Sequence, residues 1–254
     1  TAVIEMSSAS GIALMEKSSL NPMETTTYGT GQLIDNALQK GCSRIIIGIG
    51  GSATNDGGMG MAQALGVKFY SRKGQQLGFG GKQLIQIERI DMSGLNPKIR
   101  ETVIEVACDV DNPLTGPQGA AYIYAPQKGA TPEMVKELDQ GLKKMARAVK
   151  KDIGMDIDQV KGAGAAGGLG AGLAAFLGAI LKPGTDIIME AIGLRQSLEG
   201  ASLVITGEGA MDRQTFFGKS AYGVARTARE AGVPVITING SVLTSRKEVE
   251  SGKA

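Results

Sequence analysis

The chain has 254 residues with 42% hydrophobic and 20% charged side chains, the balance of one large or two modest folded domains, which excludes a disordered, coiled-coil or collagen-like protein. Lys and Arg number 27 against 25 Asp and Glu, a net charge of +2, with no basic cluster and only 4% aromatics, so neither a phosphate-tracking face nor a base-stacking platform is supplied and no nucleic-acid partner is expected. There is no histidine, which removes Ser-His-Asp and Cys-His nucleophiles, HExxH zinc sites and histidine pH switches.

The opening segment, TAVIEMSSASG, reads as a strand entering a loop; it begins without Met, signal peptide or targeting tract, and the sequence is expected to continue before Thr1. From Tyr28 to Lys40, Leu33, Ile34, Ala37 and Leu38 recur at helical spacing, with Gly41 as a stop. Arg44 to Ile49 is β-branched and apolar, the pattern of a strand covered on both faces. It runs into GGSATNDGG, then a short helix at MGMAQALG and a strand at VKFY. Val103 to Cys108 predicts another strand ending in DVDNPLTG, and AAYIYAP one more. Thr131 and Pro132 mark a helix start, with Val135, Leu138, Leu142, Met145 and Val149 as its buried stripe and Gly154 as its end. The two cysteines, Cys42 and Cys108, stand in apolar runs and read as small buried hydrophobes, not as a disulfide.

Residues 162–181 are 20 consecutive uncharged residues, a membrane-spanning length. Seven are Gly and seven Ala, leaving six larger apolar residues, too few to drive insertion, so a closely packed helix of a non-membrane protein is expected. Ser202 to Thr206 and Val233 to Ile238 read as buried strands on either side of the helix GVARTAREAG, a β-loop-α-β unit of a parallel sheet.

Two nucleotide-motif matches fail on context. Gly162, Gly164 and Gly167 spell GxGxxG without a buried strand before them, and Gly218-Lys219-Ser220 resembles a P-loop end although Arg213 stands where its first glycine belongs. What remains are three acidic, glycine-bordered loops after strands: GIGGSATNDGG with Asp56, ACDVDNP with Asp109 and Asp111, and TGEGAMDRQTFFGKS with Glu208 and Asp212. A lone Asp at a strand end usually caps a turn, but ligands in open α/β sheets sit beyond the carboxyl ends of strands, and three such loops favour a site. Gly, at 38 residues, is about twice as frequent as usual and brings backbone close to phosphates. With Lys219 and Arg213 as cations, these loops hold the parts that phosphoryl transfer asks for, and no histidine is needed.

The runs GIGGSATNDGGMGMAQALG, ACDVDNPLTGPQGAAYIYAPQKGAT, GAGAAGGLGAGLAAFLGA and VITGEGAMDRQTFFGKSAYGVA closely resemble the bacterial glycerate kinase family, type 1, and the likeness covers nearly the whole chain. The resemblance implies ATP-dependent phosphorylation of D-glycerate, at the 2-hydroxyl, with Mg²⁺ and in the cytoplasm. It implies an α/β protein of two domains around a cleft: an inserted domain at residues 1–200, and a flavodoxin-like domain with a parallel sheet represented by 201–254. Family enzymes are longer at both ends, and part of the cleft, with a Ser and a Lys for phosphate, is expected before Thr1, so the 254-residue chain alone is expected to turn over little. The site assignment it implies makes Asp56, Asp212 and Lys219 catalytic, Gly50, Gly51, Ser52, Gly207, Glu208 and Gly209 nucleotide-binding, Thr54, Asn55 and Arg213 substrate-binding, and Asp109 and Asp111 the metal carboxylates. The partner is the small acid, not a nucleic acid or membrane, and a homodimer is compatible with the family. The rival reading is a kinase-like fold that binds a nucleotide or sugar acid without transferring phosphate.

Overall fold

Alternating burial along Arg44–Gly48, in which Ile45 and Ile47 are inaccessible while Arg44, Ile46 and Gly48 are half-buried, fixes which way the main sheet faces. The computed structural model describes residues 1–211 and 220–243, and the chain divides into two units, Thr1–Lys182 and Pro183–Ala254.

In the first unit, strands β1 (Ala2–Glu5), β2 (Arg44–Gly48), β5 (Val103–Ala107) and β6 (Ile180–Lys182) form a wholly parallel sheet in the order β1-β2-β5-β6. One face carries Ile4, Ile45, Ile47, Ile104 and Val106 into the core. The register puts Val3, Ile46, Glu105 and Ile180 side by side on the other. The expectation that Arg44 to Ile49 is covered on both faces is therefore corrected, because within this unit the second face is half open. Glu105 lies buried in that row, between Arg44 at 2.7 Å and Lys182 at 2.8 Å. These cations come from the strands on either side, and they hold its carboxyl below the usual range, Lys182 most strongly.

Short helix α1 (Ser7–Ser10) follows β1, and α2 (Tyr28–Gln39) precedes β2, burying Ile34, Ala37 and Leu38 as its periodicity predicts. Helix α3 (Met59–Ala64) starts at the end of the glycine loop, and β3 (Lys68–Tyr70) pairs antiparallel with β4 (Arg89–Asp91) in a small side sheet. The run AAYIYAP is not a strand: it forms α4 (Ala120–Tyr124) and then a 3₁₀ turn, Pro126–Lys128. Its neighbours Ala120 and Ala121 are both buried and Tyr122 and Ile123 both exposed, a pattern no strand can make because its side chains alternate. Helix α5 (Pro132–Asp152) begins where Thr131 Oγ1 accepts the Met134 N–H, and it buries the whole stripe from Val135 to Val149, each large side chain contributing about 1.5–3 kcal/mol.

The small-residue run becomes α6 (Ala165–Leu177) followed directly by β6. Ala166, Gly167 and Gly168 at its start adopt left-handed backbone, and Ala166, at φ +53°, is the single non-glycine with positive φ among the described residues. No helix among them is long and apolar enough to cross a membrane.

The second unit holds α7 (Gly184–Ala191), α8 (Leu194–Ser197), β7 (Val204–Met211), α9 (Ser220–Glu230) and β8 (Val235–Val242). Strands β7 and β8 are parallel, with Gly207 opposite Ile238 and Glu208 opposite Asn239, the β-α-β unit read from the sequence; the expectation that both strands are buried is corrected, since within this unit most of their residues are half-buried or exposed, Ile205 and Ile238 among the exposed. The boundary falls before residue 200 because α7 and α8 are tied to α9, through Arg226–Asp186 and Arg195–Glu230 ion pairs.

Candidate functional site

The loop that leaves β2, residues 49–58, is held from every side. Ile12 N–H reaches Gly51 O at 2.8 Å, Ala53 N–H reaches Ser10 O at 2.9 Å, and the Thr25 hydroxyl reaches Ala53 O at 2.8 Å. Gly57 N–H donates to Gly167 O at 3.1 Å. A side chain at Gly167 would meet Thr54 O at 2.0 Å, so the left-handed start of α6 can lie against the loop only as glycine.

Asp56 is the strut inside this loop. Its Oδ2 accepts from Thr27 N at 2.7 Å, Thr27 Oγ1 at 2.9 Å, Gly60 N at 3.2 Å and Thr26 Oγ1 at 3.3 Å, and Oδ1 from Gly58 N at 3.1 Å. It is 1% exposed. Burial pushes its carboxyl pKa up, against the pull of the Thr27, Gly58 and Gly60 donors. A carboxylate whose two oxygens are enclosed by five donors of its own fold braces the loop, which favours a positioning role for Asp56 over the catalytic one expected.

Beside the loop opens a cavity of about 380 Å³, lined by Gly50, Gly51 and Ser52 of the loop, Cys108 and Asp109 after β5, and Lys128 after α4, among others. Ala165 and Ala166 of α6 also reach it. Among the described residues, Lys128 is the only Lys or Arg in the lining. It is 1% exposed, and its Nζ donates to Ser52 Oγ at 2.7 Å and to Thr54 O at 2.6 Å. Burial draws its pKa down to about 7, against the pull of the Asp56 charge. Lys128 was not among the residues singled out in the sequence, although it stands in one of the family-like runs, at APQKGAT, because it acquires its place only through the 3₁₀ turn.

Thus Gly50, Gly51, Ser52 and Asp109 come together at one cavity. Thr54 and Asn55 are buried behind them, and Thr54 Oγ1 and both polar atoms of the Asn55 amide have no hydrogen-bond partner. Such orphaned groups are rare in native interiors and mark places where a ligand or water completes the set. Asp111 does not line the cavity; it is 73% exposed and paired with Lys161 at 3.2 Å. Gly207, Glu208 and Gly209 belong to the second unit and lie within β7, which continues through them to Met211, where a loop was expected. Glu208 N–H donates to Asn239 Oδ1 at 3.3 Å, and Glu208 Oε1 is buried without a partner. Asp212, Arg213 and Lys219 lie outside the described residues.

The donor set suits a phosphate-bearing ligand in part. Gly50 and Gly51 let backbone approach closely, and Ser52 and Lys128 supply polar hydrogens. Magnesium in kinase sites needs only one or two carboxylates beside phosphate oxygens and water, and Asp109 is the carboxylate in this lining. Among the described residues no three acidic or thiol side chains gather as a metal cage.

The glycerate kinase family model matches residues 1–253. A glycerate kinase of Halalkalibacterium halodurans is 52% identical over 241 residues, 95% of this chain and 63% of the relative. A glycerate 2-kinase of Escherichia coli K12 is 51% identical over 242 residues, 95% of this chain and 64% of the relative. The crystal structure of a protein assigned as glycerate kinase 2 from Salmonella typhimurium LT2 superimposes with a TM-score of 0.87 at 48% identity, covering 96% of this chain and 65% of that one. The chain thus spans a little under two thirds of the length of these relatives. By its motifs, its parallel α/β fold and the match along its length, the chain belongs to the glycerate kinase family.

Proposed function

We propose that this protein transfers the γ-phosphoryl group of ATP to the 2-hydroxyl of D-glycerate, giving 2-phosphoglycerate and ADP. The observation that carries the reading is the glycine-walled cavity with one buried cation, in a chain about half identical to proteins named glycerate kinase and glycerate 2-kinase.

Phosphoryl transfer is largely positioning and charge stabilisation. Gly50 and Gly51 give the backbone room to approach a phosphate or acid oxygen, Ser52 Oγ and Lys128 Nζ orient it, and Ala165 and Ala166 line the same cavity. When bound, Mg²⁺ would neutralise charge on the phosphate oxygens, with Asp109 as its carboxylate; Asp111 is the weaker candidate because it lies outside the cavity lining. Thr54 and Asn55 have unsatisfied polar atoms to offer the acceptor's surroundings. The loop with Asp212, Arg213 and Lys219 is assigned the acceptor's proton, the acceptor contact and the developing charge, with Gly207, Glu208 and Gly209 on the nucleotide side. A cytoplasmic setting, a small-acid partner and a homodimeric assembly belong to the same proposal.

The test is ADP release by the purified full-length protein with Mg-ATP, with and without D-glycerate. Release that depends on D-glycerate and stops on removing Mg²⁺ supports the reading. Binding of D-glycerate or nucleotide with no release at any enzyme concentration favours the binding-only alternative.

A further inference from the structure

We propose that Lys128 is the cationic contact for an oxyanion in the cavity after β2, and that this oxyanion is the carboxylate of the small hydroxy acid. The inference rests on the function proposed above and assigns it a specificity-determining residue.

A lysine is seldom buried without a carboxylate partner, because taking an ammonium out of water costs several kcal/mol in real proteins. Lys128 is 1% exposed, and both of its partners, the Ser52 hydroxyl and the Thr54 carbonyl, are neutral. No acid among the described residues comes within ion-pair distance of it, and Asp56, whose charge favours its protonation, spends its oxygens on Thr26, Thr27, Gly58 and Gly60. An ammonium carries three hydrogens; two are fixed by Ser52 and Thr54, which holds the amine in place, and the third is left over in a side chain that lines the cavity. A fixed cation with an unused donor, at a cavity to which Gly50, Gly51, Ala165 and Ala166 give room, lacks one thing, a negative oxygen. Burial has drawn the amine to about 7, so an arriving anion restores the proton that burial has weakened and is held by the charge it restores.

Among the described residues, the charged or titratable groups around Lys128 are Asp56 in the loop and, lining the same cavity, Cys108 and Asp109 after β5 and Tyr124 of α4. Burial raises the Cys108 thiol and the Tyr124 phenol above their ordinary values. The Lys128→Met variant isolates the lysine's part from that of the two carboxylates.

The experiment is calorimetric titration of the wild-type protein, K128M and K128R from pH 6 to 9 with D-glycerate, with glycerol, which lacks the carboxylate, and with sulfate, a tetrahedral oxyanion of constant charge over this range. The proposal expects wild-type affinity for D-glycerate to fall by up to about tenfold per pH unit above 7, as the amine loses its proton. It expects K128M to bind at least ~10-fold more weakly with no such slope, glycerol to ignore both the variant and the pH, and K128R, whose guanidinium stays charged, to lose the slope. A wild-type D-glycerate affinity that does not change with pH, or a folded K128M that binds D-glycerate as well as wild type, overturns it. If K128M does not fold, the slopes of wild type and K128R decide. If sulfate follows the Lys128-dependent slope and D-glycerate does not bind, the oxyanion contact stands, its carboxylate identity is wrong, and the glycerate kinase reading of this cavity fails separately. If no anion binds, the inference is overturned.

Discussion

Asp56 Oδ2 accepts both the backbone N–H of Thr27, at 2.7 Å, and its hydroxyl, at 2.9 Å, and Thr27 Oγ1 accepts the Met61 N–H at 2.9 Å. One buried carboxylate thereby joins the start of α2 to α3 and sets the glycine loop between β2 and α3. Asp56→Asn would turn an NH₂ group toward a ring of donors, so a loss of about 2–4 kcal/mol is expected. Denaturant unfolding measures it; an unchanged midpoint with turnover lost would return Asp56 to the catalytic role.

The fold puts a price on keeping Lys128 charged, and that price depends on pH. Its pKa of about 7 in the fold lies below the ordinary lysine value of 10.5, so between these two the unfolded chain binds more protons than the folded one and stability rises with pH. The penalty is fully present below pH 7 and relieved toward pH 10. Lys128→Met should lack this gain, whose limiting slope is ~1.4 kcal/mol per pH unit. Unfolding of both proteins at pH 6.5, 8 and 9.5 would show the wild type gaining on the variant; parallel curves would mean that the amine is not desolvated.

Gly167→Ala should be among the most damaging small changes. The new Cβ would sit 2.0 Å from Thr54 O, at a backbone φ of +69°, and left-handed strain alone costs about 1–2 kcal/mol. The backbone must shift away from the loop, so both the unfolding midpoint and D-glycerate affinity should fall together. A stable variant with intact affinity would show that α6 does not brace the cavity.

Glu105 joins three strands through Arg44 and Lys182. Its carboxyl is held low in the fold by Lys182 first, so its contribution is present above the unfolded value near 4.5 and is lost as pH falls through the lower folded value. Glu105→Gln should cost about 1–3 kcal/mol at pH 7 and flatten the acid limb of the stability curve. An acid limb identical to wild type would place the stabilising charge elsewhere.

The legible parts of the fold were those whose pattern repeats. Leu33 to Leu38, the Val135 to Val149 stripe and the two strands around GVARTAREAG each carry enough periodic residues to name their element. AAYIYAP misled because aromatic and β-branched residues suit a strand locally, while the pairwise burial of Ala120 and Ala121 is a tertiary fact. Of the cavity lining, Gly50, Gly51 and Ser52 stood out in the sequence as a glycine-rich turn after a strand, and Asp109 as an acid at the end of another. Lys128 was not, since a single lysine shows its burial only when the loop it bonds, 74 and 76 residues away at Thr54 and Ser52, is folded over it. Asp56 was found for its loop, but composition cannot tell a carboxylate open to substrate from one surrounded by the donors of its own fold.

The account is tested most directly by a crystal structure of the protein with D-glycerate and a non-hydrolysable ATP analogue. It predicts the hydroxy acid in the cavity bounded by Gly50, Gly51, Ser52 and Ala166, with its carboxylate at Lys128 Nζ and its 2-hydroxyl turned toward the terminal phosphate. D-glycerate bound elsewhere, with that cavity empty and Lys128 still bonded only to Ser52 and Thr54, would contradict it.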